Sequence, residues 1–185
     1  MEKLTENLAE LGTGCSLPIS LEVIGERWCF MILRASFNGV RHFEDFLSEI
    51  GIARNILANR LTRLVEAGIM SRRPCEHDRR KVEYRLTEKG ADLLPVIVAI
   101  RQWGEKWQTG VPSTPVLADA KNRQPIGRIS IRAHDDRILG LADLCWIDEA
   151  ELRNHASGKN GGSADRGDMV VRPLKELGEP SANLT

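Results

Sequence analysis

The sequence has no excess of charge of either sign. Its 185 residues include 26 Lys or Arg and 26 Asp or Glu, which gives a formal net charge of zero at pH 7. Such a balance argues against a generally basic protein that coats nucleic acid. The length is enough for one well-buried core with an appendage, but hardly for two full domains.

Long hydrophobic runs and clustered cysteines are also missing. No stretch approaches the ~18 apolar residues that a membrane helix needs, and the start, MEKLTENLAELG, lacks the apolar run of a secretory signal. The four cysteines, Cys15, Cys29, Cys75 and Cys145, are widely spaced and form no C-x-x-C pair, unlike those of a disulfide-stapled secreted module. We therefore expect a cytoplasmic protein with no membrane partner.

The residues that catalysis requires show no usable pattern. There is no Gly-rich phosphate loop, no nucleophile elbow, and no Ser, His and Asp arrangement that spacing could support. Solvated turns explain the acidic pairs at 135–136 and 148–149. Cys75 and His77 could supply two metal ligands, but no second close pair completes a tetrahedral set. We expect neither an enzyme, nor a bound metal, nor a cofactor.

Apolar residues recur instead at helical spacing over much of the first hundred residues. The pattern predicts a short helix at 4–11, a longer one at 17–37, a third at 43–50 and a fourth at 54–67. Asn38-Gly39 ends the second of these helices, Gly51-Ile52 makes a tight turn, and Gly68 ends the fourth.

A basic hairpin follows the fourth helix. Strands are predicted at 69–74 and 82–86, joined by CEHDRRK, and Thr87 is a suitable N-cap for a last helix that runs to about Trp107. Pro95 should kink this helix or perturb its first turns. The order helix–helix–helix–strand–strand–helix predicts a winged helix-turn-helix, a mainly α fold with a small β-hairpin (α+β).

The composition changes after Gly110. We predict a winged helix-turn-helix domain at 1–110 and a small β-rich extension at 111–156, because residues 126–147 alternate apolar and polar side chains around Asp135-Asp136. The Gly-, Asp- and Ser-rich residues 157–185 are predicted to be a disordered tail.

Positive charge is concentrated in the helix–hairpin segment. Between Arg54 and Arg85 there are nine Lys or Arg and four Asp or Glu. On the fourth helix the apolar residues face the core, so Arg54, Asn55 and Asn59 face outward, where Arg and Asn can make bidentate bonds to base edges in a major groove. We predict that these three read bases and that Arg63 lies near the DNA backbone.

Further candidate contacts to double-stranded DNA lie in the hairpin and in the segment that leads into the third helix. Arg at a hairpin tip can enter a minor groove or bind flanking phosphates, and Arg41 can reach a phosphate beside a helix N-terminus. The residues predicted at these positions are Arg79, Arg80, Lys81 and Arg41. The alternative is a winged-helix protein-interaction module that does not bind specific DNA sequences.

Several segments in order resemble the HxlR-type bacterial transcriptional regulators. They are Cys15 followed by LEVIGERWCFMILR, then GVRHFEDFL, ARNILANRLTRLVEAGIM, VEYRLTEKG and LLPVIVAIRQWGEKW. The resemblance implies a homodimeric repressor or activator whose N-terminal residues and Leu93 to Trp107 stripe form the dimer interface. Two-fold symmetry implies a palindromic operator with half-sites one helical turn, ~34–36 Å, apart.

Two positions depart from the family pattern. Ala53 stands where a Ser commonly begins the reading helix, so a side-chain cap is missing. The wing, CEHDRRKVEY, is more charged than the usual family wing and looks more like that of MarR-type regulators.

Two cysteines are candidates for redox sensing, one from the resemblance and one from its basic neighbours, with an oxidant or a small molecule as effector. Cys15 matches an N-terminal Cys that some family members use, although a small apolar residue in the dimer core is the alternative. Cys75 lies among Arg72, Arg73, His77 and Arg79, which predicts an exposed thiol that favours the thiolate, or an incidental surface thiol. Cys29 is predicted to be buried and inert.

Overall fold

The computed structural model describes residues 15–75, 81–144 and Arg153. The predicted helix at 4–11, the hairpin residues 76–80 and the predicted tail lie outside these residues. The helices are α1 Ser16–Ile24, α2 Arg27–Phe37, α3 Phe43–Ile50, α4 Arg54–Glu66, α5 Glu88–Ala91 and α6 Leu94–Gly104. The strands are β1 Met70–Pro74, β2 Val82–Leu86, β3 Ile131–Arg132 and β4 Ile138–Leu139. No helix in the described part of the chain is long and apolar enough to cross a membrane.

The single helix predicted at 17–37 is two helices, so that prediction was wrong. The Gly25 N–H donates to the Leu21 carbonyl at 2.7 Å, and a Cβ on Gly25 would lie 2.5 Å from the same oxygen. Glu26 then takes an extended conformation before α2 begins. The apolar spacing continues across this break, which is why periodicity did not reveal it.

The helix-turn-helix pair is α3 and α4, with the bounds that the sequence predicts to within a residue. Gly51 ends α3 in the left-handed conformation, with φ of 61°, which glycine adopts without steric cost. Ala53 precedes α4 in an extended conformation and makes no side-chain cap bond. The cap that the sequence lacks is therefore also lacking in the structure.

The wing is an antiparallel hairpin with a third strand-like edge. β1 and β2 pair in register from Met70 opposite Leu86 to Pro74 opposite Val82. The residues before α3 extend this sheet, because His42 bridges Glu83 and the Tyr84 N–H donates to the Arg41 carbonyl at 2.8 Å. The start of α3 is thereby attached directly to the wing.

The last helix is interrupted rather than kinked. Thr87 caps α5 as predicted, its side chain accepting from the Gly90 N–H at 3.2 Å. The helix restarts as α6 with Pro95 in its first turn, where the missing N–H of proline costs no hydrogen bond. A π-helical turn, Glu105–Thr109, continues α6 to Gly110.

One core holds these elements together. The fully buried side chains with the largest volumes come from α2, α3, α4 and the start of the wing: Phe46, Ile32, Leu33, Leu57, Leu61, Leu64, Met70 and Cys29. Three helices, a hairpin and a helix around one core make a winged helix-turn-helix, which confirms the predicted fold class.

The chain divides into two compact units between Arg128 and Ile129. Residues 111–128 belong to the first unit, where Arg101 donates to the Ser113 carbonyl at 3.1 Å and Gln102 to the Gly127 carbonyl at 3.0 Å. The second unit contains the β3–β4 hairpin, which pairs Ile131 with Leu139. The functional division at residue 110 stays a prediction.

We predict that Gly90→Ala lowers the free energy of unfolding by about 1–3 kcal/mol, as overpacking of a tight contact does. A Cβ on Gly90 would lie 2.2 Å from the Ile69 carbonyl oxygen. Gly127→Ala is the control, because a Cβ there meets nothing within 4 Å. Urea unfolding at one fixed protein concentration measures both, and equal stabilities of the two variants would refute the close approach.

Candidate nucleic-acid interface

The outer face of α4 presents the polar side chains that the sequence places there. Leu57, Leu61 and Leu64 are buried, which commits the opposite side of the helix to solvent. The exposed residues of α4 are Arg54, Asn55, Ala58, Asn59, Thr62, Arg63 and Glu66. The predicted base-reading residues Arg54, Asn55 and Asn59 therefore share one accessible face.

Arg54 at the start of α4 forms a bidentate ion pair with Glu44 in the first turn of α3. Its two terminal nitrogens donate to the two carboxylate oxygens, each at 2.8 Å, and its guanidinium carbon lies 5.3 Å from the centroid of the Phe43 ring. The hydrogen bond from Arg54 lowers the pKa of the Glu44 carboxyl. The pair links the two helices of the motif, although both side chains are largely exposed.

A second acidic group holds the middle of α4. The Glu26 carboxylate, at the start of α2, forms ion pairs with Arg60 and, at 3.0 Å, with Arg63. Arg63 also donates to the Glu22 carbonyl at 3.0 Å, and Arg60 donates to Asn59 Oδ1 at 2.7 Å. These bonds orient α4. The Asn59 amide oxygen is held by the neighbouring guanidinium of Arg60.

Cations from two further elements are exposed near the helix-turn-helix in the chain. Arg41 lies two residues before the first residue of α3, while Arg72 and Arg73 lie on β1 and Lys81 precedes β2; all four are exposed. The predicted contacts Arg79 and Arg80 lie outside the described residues. Exposed cations therefore both precede and follow α4 in the sequence.

The structure corrects one prediction about the cysteines. Cys75 is buried, with 8% of its surface exposed, and its N–H donates to the Lys81 carbonyl at 2.9 Å. It is not an exposed thiol. Cys29 is buried as predicted, and burial raises the pKa of its thiol. Cys15 is exposed at the start of α1.

Large apolar side chains are left exposed on the first and last helices. Trp103 and Trp107 expose 55% and 62% of their surface, and Ile19 exposes 64%. Further exposed members of this set are Leu17, Leu21, Leu94, Val96 and Ile100. We call these eight residues the apolar stripe. Large apolar side chains exposed on two helices often mark an interface.

The chain belongs to the family of HxlR-like helix-turn-helix proteins, whose family model matches residues 23–111. It is 43% identical over 103 residues to an uncharacterised HTH-type transcriptional regulator of Mycobacterium tuberculosis, Rv3095. That match covers 56% of this chain and 65% of the relative, slightly under two thirds of its length. It is 30% identical to the HTH-type transcriptional regulator YdeP of Bacillus subtilis, over 60% of this chain and 87% of that protein.

Two solved structures of transcription factors extend the similarity beyond the family model. PA1607 aligns with a TM-score of 0.69 and 38% identity, over 76% of this chain and 99% of its own. PA1374 of Pseudomonas aeruginosa aligns with a TM-score of 0.51 and 30% identity over the same shares. The resemblance inferred from the sequence motifs is confirmed.

Sequence reasoning missed the partners of these side chains. The acidic residues Glu26 and Glu44 carry no motif, and only the folded chain brings them to Arg60 and Arg54. A carboxylate ten residues before the reading helix's first Arg was the available signal for Glu44, since a helix-turn-helix folds those positions onto each other.

We predict that Arg54→Gln raises the pKa of the Glu44 carboxyl toward its ordinary value. In the wild-type protein the pair is intact above the ordinary pKa of Glu and is lost as the pH falls through the lowered one. Carbon-13 NMR titration of the glutamate carboxyls gives the measurement. Glu83 is the internal control, because its pKa is lowered chiefly by Arg85. A Glu44 pKa that ignores the substitution would mean that the pair does not form in solution.

Proposed function

We propose that the protein is a sequence-specific DNA-binding transcriptional regulator that acts as a homodimer. It places α4 in the major groove and its basic wing on the flanking groove or backbone. The single observation that carries the proposal is the exposed Arg54, Asn55 and Asn59 face of α4, held in position by Glu44 and Glu26 in a family of transcriptional regulators. No catalytic role is proposed.

Arg54, Asn55 and Asn59 differ in the protein contacts that each must break before it can bind a base. Asn55 is exposed, and Asn59 keeps its amide nitrogen as a donor while Oδ1 accepts from Arg60. Arg54 must exchange Glu44 for a guanine edge or a phosphate. Glu44 then lies close to DNA, and its repulsion of phosphates makes weak, non-specific contacts less favourable. We therefore assign Glu44 a role in specificity.

Arg63 is the exception among the predicted contacts. Its bonds to Glu26 and to the Glu22 carbonyl direct its guanidinium toward the α1–α2 junction. We propose that it positions α4 rather than binding the DNA backbone. The backbone contacts are assigned to Arg41 and Lys81, and from the sequence also to Arg79 and Arg80.

The homodimer is proposed to form through the apolar stripe. Its members lie on α1 and on α6 with its π-helical extension, the segments to which the family resemblance assigns dimerisation. Burial of a Trp removes roughly 150–250 Å² from water, so Trp103 and Trp107 from two copies supply a substantial apolar interface. The two-fold axis would present two α4 helices to a palindromic operator.

Regulation by an oxidant or electrophile is proposed through Cys15, since its exposed thiol lies at the start of α1 beside the apolar stripe. Oxidation there would alter the spacing of the two reading helices by changing how two α1 helices meet. We propose that the regulator acts in the cytoplasm.

We predict that Asn59→Ala relaxes sequence preference by about 1–3 kcal/mol at one operator position. Lys81→Ala should instead weaken binding to all sequences and lower the slope of log affinity against log salt by about one. Fluorescence anisotropy with operator and scrambled duplexes over a salt series separates the two effects. Lys121→Ala, which makes the same charge change outside the motif and the wing, is the control. If Lys121→Ala and Lys81→Ala behave alike, the wing makes no specific phosphate contact.

We predict that Trp103→Glu converts the dimer into a monomer, because two buried carboxylates would face each other across the two-fold axis. Sedimentation velocity measures the mass. Ile138→Glu, an equally drastic change at an exposed apolar residue of β4, should leave the dimer intact. A Trp103→Glu protein that sediments as a dimer would place the interface elsewhere.

A further inference from the structure

Three side chains of types that commonly bind metals lie close together where the wing meets the segment before α3. His42 immediately precedes α3, Cys75 follows β1, and Glu83 lies within β2. One donor atom from each lies within 4.8 Å of the other two, and Cys75 Sγ is 3.9 Å from His42 Nδ1. The sulfur is buried, while the other two residues are half-buried.

The backbone holds these positions independently of any ligand. His42 and Glu83 are paired across an antiparallel bridge, and the Cys75 N–H donates to the Lys81 carbonyl at 2.9 Å. The His42 ring lies 3.2 Å from the Val82 carbonyl through Nδ1. A metal bound at Nδ1 would take the place of this contact, because one ring nitrogen cannot both donate to a carbonyl and bind a cation.

The Glu83 carboxylate already has one cationic partner, Arg85. Both Arg85 contacts, at 2.7 and 2.6 Å, are made to Oε2, so a metal bound at Oε1 would leave them in place. Glu83 can therefore bind a metal while it keeps its ion pair.

We propose that His42, Cys75 and Glu83 bind a zinc-class divalent transition metal. A thiolate with an imidazole and a carboxylate selects Zn²⁺ and Co²⁺ over Mg²⁺ and Ca²⁺, which prefer oxygen donors. A tetrahedral zinc ion with bonds of about 2.0–2.3 Å holds its donors roughly 3.3–3.8 Å apart. The three side chains would thus move inward by up to about 1 Å, with water in the fourth position. Binding replaces the Cys75 thiol proton, which passes to solvent.

Such a metal would connect the two DNA-facing parts of the molecule. His42 leads directly into the helix-turn-helix, whereas Cys75 and Glu83 belong to the wing. A bound ion would hold the wing against α3 and fix its position relative to α4. Metal binding itself does not depend on the proposed DNA-binding function, but its effect on DNA affinity does.

The test is a titration of the reduced, metal-depleted full-length chain with Co²⁺, followed by displacement with Zn²⁺. We expect a near-ultraviolet sulfur-to-cobalt charge-transfer band and tetrahedral visible bands that saturate at one ion per chain. Cys75→Ser should abolish the charge-transfer band, and Cys15→Ser should leave it unchanged. No band in the wild-type protein, or a band that survives Cys75→Ser, would overturn the proposal.

Two further measurements keep the test decisive if Cys75→Ser misfolds. Glu83→Gln preserves the shape of the side chain and an acceptor for Arg85. It should lower the Zn²⁺ affinity by more than about 100-fold, above the roughly 10–100-fold cost of losing an outer-sphere partner. An unchanged affinity would exclude Glu83 as a ligand and overturn the site.

The second measurement is hydrogen exchange with and without Zn²⁺. The Tyr84 amide, which bonds to the Arg41 carbonyl between the wing and α3, should exchange more slowly in the presence of the ion. The Ala133 amide, which bonds to the Arg137 carbonyl in the β3–β4 hairpin, is the control. Equal exchange at Tyr84 in both conditions would contradict a metal that holds the wing to the motif.

Discussion

The packing of α4 onto the core is the constraint on which the candidate interface depends. Leu57, Leu61 and Leu64 are completely buried, and replacing a leucine at such a position with alanine typically costs about 2–5 kcal/mol. This burial leaves one rotational setting for the helix. Arg54, Asn55 and Asn59 are exposed because the leucines on the other side of the helix must face the core.

Charged groups refine the position that the core sets. Glu44 links the start of α4 to α3, and Glu26 links its middle to the start of α2. Exposed pairs contribute little to stability, commonly under about 1 kcal/mol each. Their importance lies in geometry, because Glu44 determines where the Arg54 guanidinium lies before DNA binds, and Glu26 helps to set the position of α4. Recognition then becomes an exchange of one set of partners for another.

The order of the elements could be predicted from the sequence because it depends on local signals. Gly51 and Gly68 end helices, Thr87 begins one, and the strand bounds follow the alternation around CEHDRRK. The break at Gly25 escaped prediction because the hydrophobic period runs through it. Pro95 was recognised as a disturbance, yet only the structure shows that α6 begins there.

The partners of the site residues could not be predicted because they lie far apart in sequence. Cys75 was expected at the surface on account of its basic neighbours, whereas the structure buries it beside His42. His42, 33 residues earlier, meets it only because the segment before α3 pairs with β2. Residue type and spacing identify which side chains carry chemistry, but long-range strand pairing decides which of them meet.

The central claim, that the protein reads DNA as a two-fold symmetric dimer, is tested most directly by selection. Purified full-length protein would be mixed with a random duplex library, and bound sequences recovered over several rounds at near-physiological salt. The account predicts enrichment of an inverted repeat whose half-sites lie one helical turn apart. Recovery of sequences indistinguishable from the input library would contradict it, and would leave the α4 face and the basic wing to a protein partner.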